Sequence, residues 1–205
     1  MKITAVTMGM DEQNYKYAQG AAERVERFTG LKANIVSEYY SDRQFTEKFT
    51  AICHNKLFFF DMFPDAEMIM YFDNDWCLNK PIDFSLIKED KFNAVRDRYW
   101  AEFLQVHCRN MGVDINKYFN AGFWVVHRNF KWIFDKAKNI YPYSAFLDQD
   151  SINKVINEHS TSLMNILPDD WNVLDYHHSI GNYNDFTAIH NKSAFEIHKL
   201  DGTTY

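Results

Sequence analysis

The sequence predicts an α/β fold with helices on both faces of a mostly parallel central sheet. Short β-rich runs alternate with stretches of helical periodicity from the N-terminus onward, which is typical of such sheets. The 205 residues contain no repeats or low-complexity tracts, and only 7 Gly and 4 Pro, so long flexible linkers are not expected. This length is enough for one core, and we expect residues 1–205 to form a single domain.

The first five predicted elements alternate between strand and helix. Each strand is a short β-rich run, and each helix places its apolar side chains on one face. Residues 45–63 carry the strongest apolar stripe, which ends at Pro64 because proline cannot continue a helix. The predicted order is strand 3–9, helix 14–28, strand 33–39, helix 45–63 and strand 67–72.

The second half of the chain continues this pattern less regularly. The β-rich segments FNAVRD and GFWVVHR predict strands at 92–97 and 122–128. Helical spacing of apolar residues predicts helices at 129–140 and 147–158. The segments SLMNILP and TAIH predict two short late strands.

Two carboxylates follow directly after the third predicted strand. The apolar run MIMYF, residues 68–72, is succeeded by Asp73, Asn74 and Asp75. An uncompensated charge at the end of a buried strand is costly, so these acids need a partner. Since ligands of open α/β sheets bind at the carboxyl ends of strands, we expect the acids to lie at the rim of a ligand cleft.

Several interpretations of this acidic triplet can be compared. An ordinary turn, in which the side chains cap local amides, remains open. An EF-hand would need Gly and an acid where the sequence has Leu78 and Phe84. The aspartyl-phosphate phosphatases usually carry their acids on the first strand, and no glycine-rich phosphate loop is present. The remaining interpretation is a Mg²⁺ or Mn²⁺ site that is completed by the phosphates of a ligand.

Composition restricts the partners and the compartment. The formal net charge of −6 and a pI of about 5.7 argue against nucleic-acid binding, which requires a basic face. The three cysteines form no paired motif and indicate reduced thiols. No signal peptide and no transmembrane segment are predicted, so we expect a cytoplasmic protein.

Four segments, in order along the chain, carry a family resemblance, and a fifth segment matches less closely. IMYFDNDWCLNKPID resembles the Asp-x-Asp segment of nucleotide-sugar glycosyltransferases of the GT-A fold, especially glycosyltransferase family 8 and its neighbours. KYFNAGFWVVHR, FLDQDSINKVI and ILPDDWNV are similar to three further segments of that family, and AIHNKS is similar to its late histidine segment. The resemblance spans residues 1–193 and implies a single GT-A, Rossmann-like domain.

The resemblance implies a metal-dependent transferase that uses a UDP-sugar. Asp73, Asp75 and His190 would hold Mn²⁺ or Mg²⁺, and an imidazole ligand favours Mn²⁺. The remaining donor contacts that the resemblance implies are Thr7, Met8 and Gly9 along the uridine and ribose, Asn74 and Lys56 in the cleft, Asn120 and Ala121 beside the sugar, and Lys192 at the diphosphate.

The same resemblance places the reaction at the start of the helix predicted for 147–158. Asp148 would bind sugar hydroxyls, Gln149 would lie near the anomeric carbon, and Asp150 is the third candidate catalytic residue. Retention of the anomeric configuration is implied, although the Gln149 amide is a weak nucleophile. An inverting reaction would need a base such as Asp148 or Asp150. These acids could instead only stabilise the helix N-terminus, by about 0.3–1 kcal/mol.

The late segment departs from the family pattern and keeps other functions open. Lys192, Ser193 and Ala194 replace the family's Gly and Pro-Trp, which weakens the assignment of a closing phosphate loop. The chain could be a minimal catalytic domain or one module of a longer chain. The acceptor would be a glycan or protein hydroxyl. The alternatives are a nucleotide-sugar or glycan binding module without turnover, and a metal-dependent phosphohydrolase.

Overall fold

A computed structural model describes residues 2–40, 43–141, 145–174 and 185–190. The described residues form nine strands in two sheets. The strands are β1 (Ile3–Met8), β2 (Ala33–Val36), β3 (Met68–Phe72), β4 (Trp76–Leu78), β5 (Phe92–Arg96), β6 (Phe119–His127), β7 (Met164–Ile166), β8 (Val173–Leu174) and β9 (Ala188–His190).

The six-stranded sheet has the order β2-β1-β3-β6-β5-β7. Strand β1 is parallel to β2 and β3, and β5 is parallel to β7, whereas β6 is antiparallel to both of its neighbours. The predicted mostly parallel sheet is therefore confirmed. Strand β6 begins at Phe119, three residues before the predicted start, so the Asn-Ala-Gly segment lies within the strand.

Six helices accompany the strands in the described part of the chain: α1 (Glu12–Thr29), α2 (Lys48–Asn55), α3 (Phe59–Met62), α4 (Glu102–Met111), α5 (Lys131–Ile140) and α6 (Leu147–His159). The predicted helices 14–28, 129–140 and 147–158 correspond to α1, α5 and α6. A continuous helix over 45–63 is wrong. A 3-10 turn at Lys56–Phe58 separates α2 from α3 and buries Lys56 and Leu57. Strands β4 and β8 and helix α4 were not predicted.

The two faces of the large sheet are covered by different elements. Ile69 and Tyr71 of β3 point into a core shared with residues of α5 and α6, such as Phe134 and Ile152. Met68, Met70 and Phe72 alternate with them and point to the other face, where Ala21 and Val25 of α1 pack. Both faces of β3 are thus apolar and buried, which explains its uninterrupted apolar sequence.

The small sheet, in the order β4-β9-β8, covers the face that α1 also occupies. Trp76 of β4 anchors it: the indole stacks on Phe123 with centroids 4.7 Å apart, and Nε1 donates to the Trp171 carbonyl at 2.9 Å. In the antiparallel pairing of β4 with β9, Trp76 lies opposite His190. This pairing places β9, which is late in the sequence, next to the residues that follow β3.

The longest described helix, α1, has 18 residues and carries several charged side chains. No helix in the described ranges combines the length and the apolar composition that a bilayer crossing requires.

Candidate active site

The candidate site is a cleft of about 420 Å³ at the carboxyl ends of β1 and β3. Its other walls come from the start of β6, the N-terminus of α6 and the C-terminal part of α2. This is the edge of an open α/β sheet at which ligands bind, as the sequence predicts. The walls combine apolar side chains with a few polar groups, which is typical of small-molecule sites.

Three groups that can bind a metal converge at one end of the cleft. Asp73 and Asp75 follow β3, and His190 ends β9. His190 Nε2 lies 3.4 Å from Asp73 Oδ2 and 3.2 Å from Asp75 Oδ1. One ligand atom from each of the three residues lies within 4.8 Å of the others. The two sheets together bring these residues close, although His190 is distant in sequence.

Gly122 makes room for the imidazole of His190. A Cβ atom at residue 122 would lie 2.1 Å from His190 Cε1 and 2.7 Å from Nδ1. The ring therefore rests directly on the Gly122 backbone, whose carbonyl accepts a 2.8 Å hydrogen bond from the Asp73 N–H. One glycine thus fixes the positions of both the histidine and the first aspartate.

The electrostatics of these three residues show how they are held without a metal. Burial by itself would lower the pKa of His190, but the carboxylates of Asp75 and Asp73 outweigh it and raise the pKa to about 10. Burial by itself would raise the pKa of Asp73, but the Lys56 ammonium and the His190 imidazole hold it well below its usual range. Both pKa shifts favour the charged forms, so the imidazole of His190 and the carboxylate of Asp73 stabilise each other.

The same group fits a divalent cation by its chemistry. A cation would take the place of the imidazole proton between the two carboxylates. Two carboxylate oxygens and one imidazole suit Mn²⁺, and also Mg²⁺ to a lesser degree. The side chains of Asp73 and Asp75 are 25% and 23% exposed, so this end of the cleft is open to further oxygen ligands. His190 Nδ1 is buried and has no hydrogen-bond partner among the described residues.

Lys56 connects the metal-binding end of the cleft to α6. Its Nζ lies 3.0 Å from Asp73 Oδ1 and 3.4 Å from Asp148 Oδ2, and the side chain is 8% exposed. Burial by itself would lower the pKa of Lys56, but Asp148 and Asp73 raise it well above its ordinary value. The Tyr71 ring lies 4.9 Å from Nζ, and its hydroxyl donates to Asp73. Lys56 is the first residue of the 3-10 turn that interrupts the predicted helix, and it lines the cleft.

Asp148 faces the cleft from the first turn of α6. Burial raises its pKa, and the Lys56 ammonium counteracts part of that shift. The preceding residue, Leu147, also lines the cleft and has a φ of 52°, which is rare for a residue with a branched side chain. Such strained backbone is found preferentially at functional sites.

Gln149 also lines the cleft, but its amide is fully engaged. Oε1 accepts hydrogen bonds from Ala121 N at 3.0 Å and from Asn120 Nδ2 at 3.2 Å. Nε2 donates to Asp97 Oδ2 at 2.6 Å and to the Tyr118 hydroxyl at 3.0 Å. These bonds fix the orientation of the amide and hold α6 against the start of β6.

Asp150 lies behind the wall of the cleft rather than in it. Its Oδ1 accepts a 2.6 Å bond from the Tyr118 hydroxyl and lies 2.9 Å from His107 Nε2. Its Oδ2 accepts a 2.8 Å bond from Phe146 N, as a helix-capping group does. Asp150, one of the three candidate catalytic residues of the sequence, therefore holds the start of α6 and has no contact with the cleft.

Of the residues expected along the nucleotide, some line the cleft and others do not. Met8 and Asn74 line the cleft. Thr7 is fully buried within β1 and does not reach it, and its hydroxyl has no partner in the described ranges. Gly9 borders a neighbouring surface pocket and packs against α1, where a Cβ would lie 2.5 Å from Tyr15 Cα. Lys192 falls outside the described residues.

Sequence analysis missed several residues of the site. Met10, Asn14 and Cys53 line the cleft. Asp97, the partner of Gln149, is 3% exposed and follows β5 just as Asp73 follows β3, so the same strand-end rule would have identified it. Arg96 pairs with Asp169 at 3.0 Å and does not line the cleft.

Comparison with known proteins identifies the fold. No protein-family profile matches the sequence, and no curated protein matches it significantly. Among solved structures, the chain is similar to a glycosyltransferase involved in glycosylation of the major capsid of PBCV-1, with a TM-score of 0.68, 16% identity and 100% of both chains covered. It is also similar to the galactosyltransferase LgtC, solved with donor and acceptor sugar analogues, with a TM-score of 0.71 and 14% identity. That alignment covers 98% of this chain and 97% of LgtC.

A third similar structure is the bifunctional glycosyltransferase WbbM, with a TM-score of 0.66 and 18% identity. The alignment covers 92% of this chain and 45% of WbbM. At these identities the likeness is one of fold, and the predicted GT-A architecture is confirmed.

Proposed function

We propose that this chain, whose fold is that of the GT-A glycosyltransferases, transfers a sugar from a nucleotide-diphosphate donor to an acceptor hydroxyl. We take the donor to be a UDP-sugar and the acceptor to be a hydroxyl of a glycan or protein. The observation that carries the proposal is the convergence of Asp73, Asp75 and His190 in a cleft that Asp148 and Gln149 also line. The first three groups would serve the diphosphate through a cation, and the other two would serve the sugar.

The cation, Mn²⁺ or Mg²⁺, would be held by Asp73, Asp75 and His190, and when bound it supplies positive charge for the diphosphate and the departing nucleotide. The formal net charge of the protein is −6, and a bound cation would attract a diphosphate despite that acidity. The nucleotide then lies along Met8, Met10 and Asn74, which line the cleft near the end of β1.

The sugar lies between the start of β6 and the first turn of α6. Ala121 and Gly122 leave space there because their side chains are small or absent. Asp148 accepts hydrogen bonds from sugar hydroxyls, and Lys56 keeps that carboxylate in place from 3.4 Å. The fixed amide of Gln149 forms the floor of this part of the cleft. These contacts hold the donor in a reactive orientation.

We propose retention of the anomeric configuration. Inversion needs a carboxylate base beside the acceptor, and the sequence offers Asp148 or Asp150. Asp150 faces Tyr118 and His107 instead of the cleft, and Asp148 is tied to Lys56. The Gln149 amide is committed to four hydrogen bonds, which supports its role as a positioned polar group rather than a covalent nucleophile. NMR of the product anomer tests this point, and an inverted product would contradict it.

A reducing compartment such as the cytoplasm is part of the proposal. Cys53, Cys77 and Cys108 are buried thiols that form no disulfide. Thiols of this kind are typical of proteins that remain in reducing compartments.

Titration calorimetry of UDP into the protein is the decisive experiment. We expect binding in the presence of Mn²⁺ that is lost in EDTA and lost in Asp75→Ala. Asp83→Ala is the matched control, because Asp83 caps a 3-10 turn and does not line the cleft. If UDP, GDP and deoxythymidine diphosphate all fail to bind with Mn²⁺, the proposal is wrong and the acidic triplet serves only as a turn.

The products of a donor assay separate the remaining alternatives. A transferase releases intact UDP when a UDP-sugar and an acceptor are supplied. Release of UMP or inorganic phosphate would indicate a metal-dependent phosphohydrolase instead. Metal-dependent binding without any turnover of UDP-sugars, including hydrolysis, would indicate a binding module.

A further inference from the structure

The side-chain amide of Gln149 fits its surroundings in only one orientation. Its Oε1 faces two donors, the Ala121 backbone N–H at 3.0 Å and Asn120 Nδ2 at 3.2 Å. Its Nε2 faces two acceptors, Asp97 Oδ2 at 2.6 Å and the Tyr118 hydroxyl oxygen at 3.0 Å. Exchanging Oε1 and Nε2 would place the amide hydrogens against a backbone N–H and the amide oxygen against a carboxylate. The neighbouring groups therefore decide which atom of the amide points in which direction.

The Tyr118 hydroxyl accepts from Gln149 because its own hydrogen is used elsewhere. It donates to Asp150 Oδ1 at 2.6 Å, which leaves its oxygen available to accept from Gln149 Nε2. The Tyr118 side chain is fully buried, and burial together with the Asp150 carboxylate raises the pKa of Tyr118, so the hydroxyl keeps its proton. Asp150 is held in turn by the Phe146 N–H, which donates to Oδ2 at 2.8 Å.

Asp97 presents one carboxylate oxygen to the same amide. Its Oδ1 accepts hydrogen bonds from Arg98 N at 2.6 Å and from Arg98 Nε at 3.1 Å, and its Oδ2 accepts the bond from Gln149 Nε2. The backbone places this acid beside Tyr118, because Asp97 N donates to the Tyr118 carbonyl at 3.0 Å. Asp97 is 3% exposed, and a buried carboxylate is a strong acceptor because water does not compete for it.

The two ends of the Gln149 amide differ in their position relative to the cleft. Asn120 and Ala121, which donate to Oε1, line the cleft. Asp97 and Tyr118, which accept from Nε2, do not line it. The oxygen of the amide therefore lies on the side of the cleft, and the nitrogen lies on the side away from it.

We propose that Asp97 and Tyr118 are positioning residues for sugar transfer, and that they act through Gln149 by keeping its amide oxygen toward the cleft. The inference rests on the proposed function and deepens it, because it gives two residues outside the cleft a role in the reaction. Neither residue needs to contact the donor for this role. Without their two acceptor atoms, the amide can rotate about its last bond, and its oxygen is no longer fixed beside the sugar.

The chemistry of sugar transfer favours an oxygen in this place. As the bond between the anomeric carbon and the diphosphate breaks, its electron pair leaves with the nucleotide and positive charge develops on the sugar. The acceptor oxygen forms the new bond, and its proton goes to the released diphosphate. A carbonyl oxygen beside the sugar stabilises the positive charge, whereas an N–H group would oppose it. The hydrogen bond to the Asp97 carboxylate also polarises the amide and increases the negative charge on Gln149 Oε1.

Selective ¹⁵N labelling of glutamine tests the orientation on the full chain without ligand. The chain has five glutamines, and Gln149 is 8% exposed whereas the others are exposed. Its side-chain NH₂ signals are assigned by their loss in Gln149→Met. We expect both protons to exchange with water more slowly than those of the exposed glutamines, because both are hydrogen-bonded. Tyr118→Phe should move one of the two proton resonances upfield, and Asp97→Asn should move the other.

Release of UDP with water as the acceptor tests the link to the reaction. The probes are UDP-glucose, UDP-galactose and UDP-N-acetylglucosamine, each with Mn²⁺. We expect kcat to fall by about tenfold or more in Tyr118→Phe and in Asp97→Asn, while the Kd of UDP, measured by calorimetry, stays within about twofold of the wild type. Tyr141→Phe is the matched control, because Tyr141 is also fully buried, donates to the Thr50 carbonyl and does not line the cleft. It should change kcat and Kd by less than about twofold.

The outcomes separate this inference from the proposed function. A merely structural role would lower the free energy of unfolding in Tyr118→Phe and Tyr141→Phe alike, without a selective loss of kcat in the first. An unchanged kcat in either Tyr118→Phe or Asp97→Asn would overturn the role of that residue, and rapid exchange of the Gln149 amide protons would overturn both roles. Failure of the wild type to release UDP from all three UDP-sugars would instead overturn the proposed function, and the positioning roles with it.

Discussion

The chain contains two acidic triplets of identical spacing, and the structure uses them in opposite ways. Asp73-Asn74-Asp75 forms a turn after β3, and both carboxylates converge on His190. Asp148-Gln149-Asp150 begins α6, and its two carboxylates diverge, one toward Lys56 and the other toward Tyr118. Residues two apart on a helix lie on opposite sides, whereas a turn can bring them together. The spacing of acids does not define a site until the backbone is known.

The two triplets also differ in how their polar groups are hydrogen-bonded. In the second triplet, Gln149 and Asp150 direct their polar atoms into protein hydrogen bonds. In the first, Asp73 and Asp75 remain about a quarter exposed, and both face His190, while Asp73 also contacts Lys56 and the Tyr71 hydroxyl. The first triplet is thus prepared for a ligand, and most of the second serves as its scaffold. Lys56 is the link, because it contacts the first aspartate of each triplet.

The largest effect should come from removing that link. Lys56→Met leaves the carboxylates of Asp73 and Asp148 without their shared ammonium, so we expect the free energy of unfolding to fall by roughly 3–5 kcal/mol. Urea denaturation measures this free energy of unfolding. The double variant Lys56→Met/Asp148→Asn should recover part of the loss, since it removes one uncompensated charge. No recovery would mean that Lys56 acts through packing of its stem and not through charge.

Equivalent substitutions in the two triplets should give opposite results. Asp75→Asn should weaken Mn²⁺ binding by more than about a hundredfold and change stability little, because it removes a proposed ligand. Asp150→Asn should leave Mn²⁺ affinity within about twofold but lower the free energy of unfolding by about 2–3 kcal/mol, because it weakens hydrogen bonds to a buried carboxylate. Calorimetry and urea denaturation of both variants check this. Equal loss of Mn²⁺ binding in both variants would contradict the assignment of a metal-binding role to the first triplet and a structural role to the second.

Gly122→Ala should disturb the first triplet through its histidine. The new Cβ would meet the imidazole at 2.1 Å, so His190 must move, and we expect about a tenfold loss of Mn²⁺ affinity. Gly112→Ala is the control: Gly112 ends α4 with a φ of +71°, and a Cβ there meets nothing within 4 Å. It should cost about 1 kcal/mol of stability and leave Mn²⁺ binding unchanged. Wild-type Mn²⁺ affinity in Gly122→Ala would show that His190 is not a ligand.

The pH dependence of stability without metal tests the histidine that faces the first triplet. The pKa of His190 is raised to about 10 in the folded protein, against an ordinary value of 6.5. Its stabilising contribution is therefore complete below pH 6.5 and declines as the pH rises toward 10. In EDTA, the stability difference between wild type and His190→Asn should shrink over this range. A difference that stays constant or grows would mean that the histidine is neutral in the folded protein.

Much of the fold followed from local patterns in the sequence. The β-rich runs and the helical stripes predicted α1, α5, α6 and the strands of the large sheet to within a few residues. Helix α4 was not predicted, although its buried Leu104 and Cys108 are four residues apart and Gly112 follows its last residue. The apolar stripe continues without a break over 45–63, so it did not reveal the 3-10 turn that begins at Lys56. A turn this short changes the apolar periodicity too little to be detected in the sequence.

The sequence by itself determined that acids end the buried strand β3 and that the chain folds as an α/β protein, because burial and periodicity are local properties. The tertiary structure decided which of the acids face the cleft. It brought His190 to Asp73 and Asp75 through the pairing of β9 with β4, turned Asp150 away, and placed Asp97 behind Gln149. It also opened a second cavity of about 450 Å³ between residues 96–100 and 169–174. Such contacts depend on the pairing of strands that are distant in sequence and on the direction in which each backbone position points its side chain. Neither can be inferred from the spacing of residues along the sequence.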